Sequence, residues 1–409
     1  MSGNIDVPFE IHIPDGAHDL KIYGANTTLR ATRGFKGRAI LTCRACRNVE
    51  FHDLNIDGAR AALEHPVELN PGNKPFASFY PNNGILVENA RGIAIDRVTI
   101  ANVTNYPILI SRSQDVFITR VTIENSGSHN EKGRNNASGG ILLEEGTANF
   151  TVAECRFRNI LGNGVWTHSF YGSPRNSDGR IVNNTFEDIG RDAIQVGHAT
   201  AITVAHNIAK RIGFPDSITD VEHAGFTAAI DTAGNVDRTA YEFNELEEIN
   251  GKCIDLDGFH DGVVRGNTCI NRGEPAHYKF GNYGIVFNNA NKDMRSENVQ
   301  VTDNRFNGLK YGAVFVIGSG HRITGNTFTH LNTAHCPDAG SAACNWSPDP
   351  ETLRSGIYLA SGAERPDAAR AVLIENNTIA GWGMAKHCIS AAPGVKIGAN
   401  IVRKNVCRD

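Results

Sequence analysis

Three aspartates are the residues whose types and spacing best suit chemistry. Asp231 stands in Ala229-Ile230-Asp231-Thr232 and Asp255 in Cys253-Ile254-Asp255-Leu256, while Asp257 follows Asp255 by two positions. Apolar and polar residues alternating at period two mark a strand with one buried face. If the two segments lie side by side in one sheet, Asp231 and Asp255 face outward at one register, with backbones about 4.8 Å apart. Like charges set opposite one another destabilise a sheet, so packing gives no reason for them. Carboxylates at that range split their pKa values and keep one proton available near neutrality. That is what an acid–base pair requires; the plain alternative is a solvated acidic patch.

The same outward position can be followed from segment to segment. It reads Leu86, Leu109, Leu142, Trp166, Gln195, Asp231, Asp255, Val286, Val314, Tyr358 and Ser390. The next outward row includes Glu144, His168, Asp257 and Asn288. Trp166 on an open sheet face suits the flat apolar side of a sugar ring, unless a flanking loop covers it. His198 closely follows the Gln195 strand, and His260 and Asp261 follow Asp257. His223, His277 and Lys279 fall in long loops expected to overhang the same floor. Asp231, Asp255 and Asp257 are therefore assigned to catalysis. Trp166, His168, Gln195, His198, His260, Asp261, Glu144, Asn288 and Lys279 are assigned to substrate binding, and no residue is assigned to a metal.

These residues need elements that hold them in register, and a repeat supplies them. An aliphatic residue, two polar residues, Asn, a variable residue and an apolar one recur, as in Ile181-Val182-Asn183-Asn184-Thr185-Phe186 and Ile323-Thr324-Gly325-Asn326-Thr327-Phe328. The same register holds Asn207, Asn244, Asn267, Asn304, Asn377 and Asn405. Asn tolerates the left-handed conformation of a tight bend, and its amide can pair with the coils above and below. A second motif, a small residue then alternating apolar positions, recurs as Gly84-Ile85, Gly140-Ile141, Gly164-Val165, Gly284-Ile285, Gly312-Ala313 and Gly356-Ile357. The shortest step, 23 residues from Gly84 to Pro107, is too short for a strand–helix–strand crossover. It suits a coil of short strands stabilised by stacking. The expected fold is all-β: a single-domain right-handed parallel β-helix solenoid of about 12–13 coils with an Asn ladder. Residues 1–20 are expected to form an N-terminal cap or first coil, and 21–409 the solenoid. Long insertions flank the small-residue strands, for example between Asn207 and Ala229 and between Asn267 and Gly284. They would make a groove for an extended polymer, and long loops on a rigid scaffold are where function concentrates.

Composition narrows the partners. A formal net charge of −4 gives no basic face for nucleic acid, and no apolar run reaches the roughly 18 residues of a membrane span. Met1-Ser2-Gly3-Asn4 shows no basic segment leading into an apolar core, so no signal peptide is read there. Nine cysteines leave at least one outside any internal disulfide. A local bridge is expected between Cys336 and Cys344, while Cys43 and Cys46 have a metal-like half-spacing with no second pair at zinc-site distance.

With its coils, Asn ladder and acidic floor, the sequence resembles the pectin-lyase-like superfamily of β-helical carbohydrate-active enzymes over nearly its whole length. The resemblance implies aspartates on neighbouring coils acting as in polygalacturonases, with Asp231, Asp255 and Asp257 as counterparts. The polygalacturonase set of Asn-Thr-Asp, Asp-Asp, Gly-His-Gly and Arg-Ile-Lys is not reproduced in order, which counts against pectin. Asp257-Gly258-Phe259-His260-Asp261 is similar to the Asp-Pro-His-Asp motif of mannuronan epimerases, without its proline and with one extra residue. The expectation is a glycoside hydrolase without a cofactor, using one carboxylic acid and one carboxylate. A Ca²⁺-dependent lyase or epimerase with Lys252 or Lys279 as base is the alternative, and a non-catalytic carbohydrate-binding β-helix the second. The expected partner is a carbohydrate polymer or oligosaccharide, which would place the protein outside the cytoplasm, secreted or periplasmic. The sequence assigns no oligomeric state.

Overall fold

The computed structural model describes residues 3–24, 26–65, 70–72, 74–130, 132–135, 138–219, 227–337, 344 and 349–409. His223 lies outside them. Among the described residues short parallel strands dominate, and the three α-helices, Arg60–Leu63, Glu351–Arg354 and Met384–His387, have 4 residues each. No described helix is long and apolar enough to cross a membrane. The fold is a right-handed parallel β-helix. By its contacts the chain divides into two compact units, Met1–Thr203 with Gly213–Ala224 and Val204–Ile212 with Gly225–Asp409.

In the first unit three stacks of inward residues make the core. On one face Ile85, Ile108, Ile141, Val165 and Ile194 follow one another in register. On a second face the order is Phe51, Ile95, Ile118, Val152 and Ile181. On a third it is Ile56, Ile100, Ile123, Phe157 and Phe186, with the last two rings stacked 4.6 Å apart. β-Branched and aromatic side chains fill a pleated surface well. Each coil buries its apolar face only against its neighbours, so parallel stacking is what stabilises it.

The second unit repeats the plan. Its first face carries Ile230, Ile254, Ile285, Val314, Ile357 and Ile389. Its third carries Ala209, Leu246, Cys269, Phe306, Phe328, Ile379 and Cys407. The small residue opening each first-face strand has a steric cause. A Cβ at Gly284 would stand 2.9 Å from the Phe306 ring, and one at Gly356 would stand 2.4 Å from Ile379. The corner has room for one large third-face side chain and nothing opposite it.

Two coils solve the corner with sulfur. Cys253 takes the corner opposite Gly284 and bridges to Cys269 in the Phe306 stack. Cys388 takes the corner opposite Gly356 and bridges to Cys407 in the Ile379 stack. The expected Cys336–Cys344 bridge is present, and Cys43 and Cys46 form a disulfide. Cys155 remains a buried thiol, and burial pushes its pKa up to about 12.

The Asn ladder runs through the second unit. Asn207 donates its backbone N–H and side-chain amide to Oδ1 of Asn244, at 3.0 and 2.9 Å. Asn244 does the same to Asn267, Asn267 to Asn304, Asn304 to Asn326, Asn326 to Asn377 and Asn377 to Asn405. The ladder asparagines do not themselves take the left-handed conformation expected of them. The left-handed conformation belongs to the residue before each ladder Asn: His206, Phe243, Gly266, Asp303, Gly325, Asn376 and Lys404 all have φ between 54° and 71°. Asn is selected because its amide points inward and bonds in two directions, and the preceding residue takes the bend.

Candidate active site

In the second unit the strands Thr227–Asp237 and Gly251–His260 pair in parallel, with Ile230 opposite Ile254 and Ala233 opposite Asp257. Asp231 and Asp255 therefore share a register, as the alternation implied, and Asn288 continues the Asp257 row on the next strand. Asp255 is 6% exposed. Its Oδ2 pairs with Nζ of Lys252, and its buried Oδ1 has no hydrogen-bond partner. Burial raises the Asp255 pKa and the Lys252 ammonium opposes that rise. Lys252 in turn is held charged against its own burial by Asp255, Asp231 and Asp257.

Asp257 accepts a hydrogen bond from the backbone N–H of Ala290 at 2.8 Å. Burial still pushes its pKa up to about 7, with the charges of Asp255 and Glu364 adding to the rise. Glu364 had no signal in the sequence. A loop brings it over the sheet, where Asn288 donates to Glu364 at 3.2 Å and the Arg365 N–H donates to Asn289 at 3.0 Å. The site thus gathers three floor carboxylates around one lysine, with a fourth carboxylate from a loop.

From Asp255 the outward row continues through Val286, Phe315, Tyr358 and Ser390. Phe315 replaces the expected Val314, which is 0% exposed. Gly312 and Ala313 are both small, and Ala313 is the one at the corner, so the register moves by one. The Phe315 and Tyr358 rings stack at 5.8 Å.

His260 and Asp261 lie beyond a bend at Gly258, whose φ is 76°. His260 is opposite Asp237 rather than on the Asp255 face, and a ring nitrogen contacts the Gly258 carbonyl at 3.2 Å. Asp261 accepts from Asn298 at 2.9 Å. Lys279 and His277 are both exposed in the loop after the Thr268–Ile270 strand.

The first unit holds the other expected residues, and there the floor is covered. Leu86, Leu109 and Leu142 are each 0% exposed, because Phe76, Ala77, Tyr80 and Tyr106 pack on them. Trp166 packs edge-on against Phe76 at 5.2 Å. Gln195, in register with Trp166, accepts from Asn163 at 2.8 Å. His198 meets the Tyr171 ring at 3.8 Å.

Glu144 is 0% exposed and fastens this cover: its two oxygens accept the backbone N–H groups of Phe76 and Ala77 at 2.8 and 2.9 Å. Burial lifts its pKa to about 7 in spite of those donors. His168, opposite Glu144 in the sheet, is pushed down to about 4 by burial and by His198. Glu145, not singled out in the sequence, accepts from the Phe170 N–H at 3.1 Å. One carboxylate oxygen each from Glu144 and Glu145 and one ring nitrogen of His168 lie within 4.8 Å of one another.

Residues 41–214 match a family model described as the right handed beta helix region, and a search of curated protein sequences gave no match. Among solved structures the chain is similar to the pre-mature gene product 12 of bacteriophage phi29, with TM-score 0.65, 11% identity and coverage of 93% of this chain and 48% of that one. It is similar to a GH136 lacto-N-biosidase from Eubacterium ramulus, with TM-score 0.55, 13% identity and coverage of 91% and 60%. It is also similar to PfbA, a surface adhesin of Streptococcus pneumoniae, with TM-score 0.52, 12% identity and coverage of 80% and 84%. What these proteins share with the chain is architecture, and the chain is, with them, a right-handed parallel β-helix.

Proposed function

We propose that the protein is a carbohydrate-active enzyme that hydrolyses glycosidic bonds in a polysaccharide or oligosaccharide, and that Asp231, Asp255 and Asp257 carry the reaction. The observation behind this reading is the in-register gathering of the three carboxylates around Lys252. Asp257, lifted to about 7, is the group that holds a proton at neutral pH and can give it to the leaving oxygen. Asp255 supplies the second carboxylate, whose enclosed Oδ1 has no hydrogen-bond partner and would accept from the attacking water or attack the sugar once a side-chain movement opens it. Asp231, half-buried on the neighbouring strand, adds negative charge where an oxocarbenium-like transition state gathers positive charge. Phe315, half-buried, continues the row with an aromatic ring of the kind sugar faces stack on, while Tyr358 is buried beside it.

The lyase or epimerase alternative needs a base to remove a proton. Lys252 serves poorly, because three carboxylates hold it as the ammonium. Similar folds belong to a lacto-N-biosidase and to an adhesin, so the acids, and not the fold, carry the argument for catalysis. Export follows from the proposed substrate, and four disulfides suit an oxidising compartment.

The test is incubation with a panel of polysaccharides and oligosaccharides, with and without EDTA, following reducing ends and the ultraviolet absorbance of unsaturated uronates. New reducing ends without that absorbance, insensitive to EDTA and lost in Asp255→Asn and Asp257→Asn, are expected. Absorbance that disappears with EDTA would replace the hydrolase with the calcium-dependent lyase. Binding without products would leave a carbohydrate-binding protein.

A further inference from the structure

We propose that Glu144, Glu145 and His168 form a binding site for a divalent transition-metal cation of the Zn²⁺ or Mn²⁺ class, separate from the aspartate cluster. Two carboxylate oxygens and an imidazole nitrogen already lie within 4.8 Å of one another. Ligands about 2.1 Å from one ion stand roughly 3–4 Å apart, so small side-chain rotations close the set.

The second observation is an unmet hydrogen-bonding group. Nδ1 of His168 is enclosed and has no hydrogen-bond partner. The ring is boxed by Phe76 at 5.0 Å, Trp166 at 5.0 Å and Phe170 at 5.2 Å, so no solvent satisfies it. A buried polar atom without a partner is costly, and an imidazole nitrogen is a common metal ligand.

Charge points the same way. Glu144 and Glu145 are 0% and 3% exposed, yet among the described residues neither forms an ion pair with lysine, arginine or histidine. Their hydrogen bonds include those from the backbone N–H groups of Phe76, Ala77 and Phe170, all neutral donors. A carboxylate buried without a cation is relieved by binding one or by taking up a proton. Each of those hydrogen bonds uses one direction on its oxygen, and a carboxylate has about four acceptor sites. The imidazole selects the metal class, because Ca²⁺ and Mg²⁺ favour all-oxygen shells.

The experiment uses the full chain, stripped with EDTA and titrated calorimetrically with Zn²⁺, Mn²⁺ and Ca²⁺. One Zn²⁺ or Mn²⁺ per chain with a raised melting temperature, and no response to Ca²⁺, is expected. His168→Ala and Glu145→Gln should each weaken that binding at least tenfold, while Asp255→Asn leaves it unchanged. Should either variant fail to fold, Co²⁺ added to the unaltered protein gives a second reading: visible bands of a nitrogen- and oxygen-bound ion are expected. Absence of stoichiometric binding, affinity indifferent to His168, or a Co²⁺ spectrum of the hydrated ion would each overturn the proposal and leave Glu144 as the fastening of the loop alone.

Discussion

Replacing Lys252 by methionine removes the cation of the aspartate cluster while keeping a side chain of similar length. The pair is enclosed, with side-chain exposures of 14% for Lys252 and 9% for Asp255, so solvent screens it little. Removing one partner of such a pair costs about 3–5 kcal/mol. The cost is pH-dependent, because the stranded carboxylate can bind a proton instead. In the variant Asp255 loses the charge that opposed its desolvation, and its folded-state pKa rises further above the unfolded value. A group with a raised folded pKa is harmless below its unfolded pKa and costs stability as pH climbs through the folded one. The deficit relative to the unaltered protein should therefore be near its full value at pH 8. It should shrink toward pH 5, by at most about 4 kcal/mol for one proton taken up over the three pH units at 1.36 kcal/mol each. Urea midpoints of both proteins at the two pH values measure this, and titrations common to both cancel in the difference. A deficit of equal size at pH 5 and pH 8, or none at pH 8, would refute the view that Lys252 is there to hold a buried carboxylate charged.

Other outcomes follow from the same structure. If Asp257 is the general acid, activity should fall as pH rises past about 7, and Asp257→Asn should remove that limb along with at least a hundredfold of rate; an unchanged basic limb would move the role elsewhere. Asn267→Ala deletes an amide that accepts from Asn244 and donates to Asn304 and to the Tyr241 carbonyl. It should destabilise by about 2–4 kcal/mol, since several buried groups lose partners at about 1–3 kcal/mol each, as read from denaturant midpoints. Removing the Cys253–Cys269 bridge, which spans 16 residues, should cost about 3 kcal/mol, with a melting temperature that no longer responds to that crosslink.

The fold was legible because the solenoid writes itself into the chain at fixed positions. An amide is required wherever coils stack on Asn, and a small residue wherever a third-face ring fills the corner. The alignment of Asp231 with Asp255 could be counted from the same period. It failed by one at Val314 because Gly312 and Ala313 are equally small, and only packing against the neighbouring coil chooses between them. What could not be read is what loops do. Phe76 and Ala77 reach Glu144 across 68 and 67 residues, and Glu364 reaches Asn288 across 76. Neither approach leaves a periodic trace. The covered leucines and the enclosed Glu144 therefore read as open floor, because strand alternation distinguishes outward from inward and says nothing of what lies on top. Asp257, which faces Ala233 and not another aspartate, owes its raised pKa to burial that the sequence did not display.

The two corner disulfides carry a consequence for how the chain is made. Each joins residues of one turn, 16 and 19 positions apart, and neither requires a distant segment to have arrived. A chain emerging gradually from a ribosome or a translocation pore could close each bridge as soon as its own turn had formed, and low sequence separation favours rapid formation. The later bridge joins Cys388, which is buried, to Cys407, which is exposed. Cys253 and Cys269 are both 0% exposed, so reducing agents should reach the later bridge before they disturb the enclosed one beside Asp255.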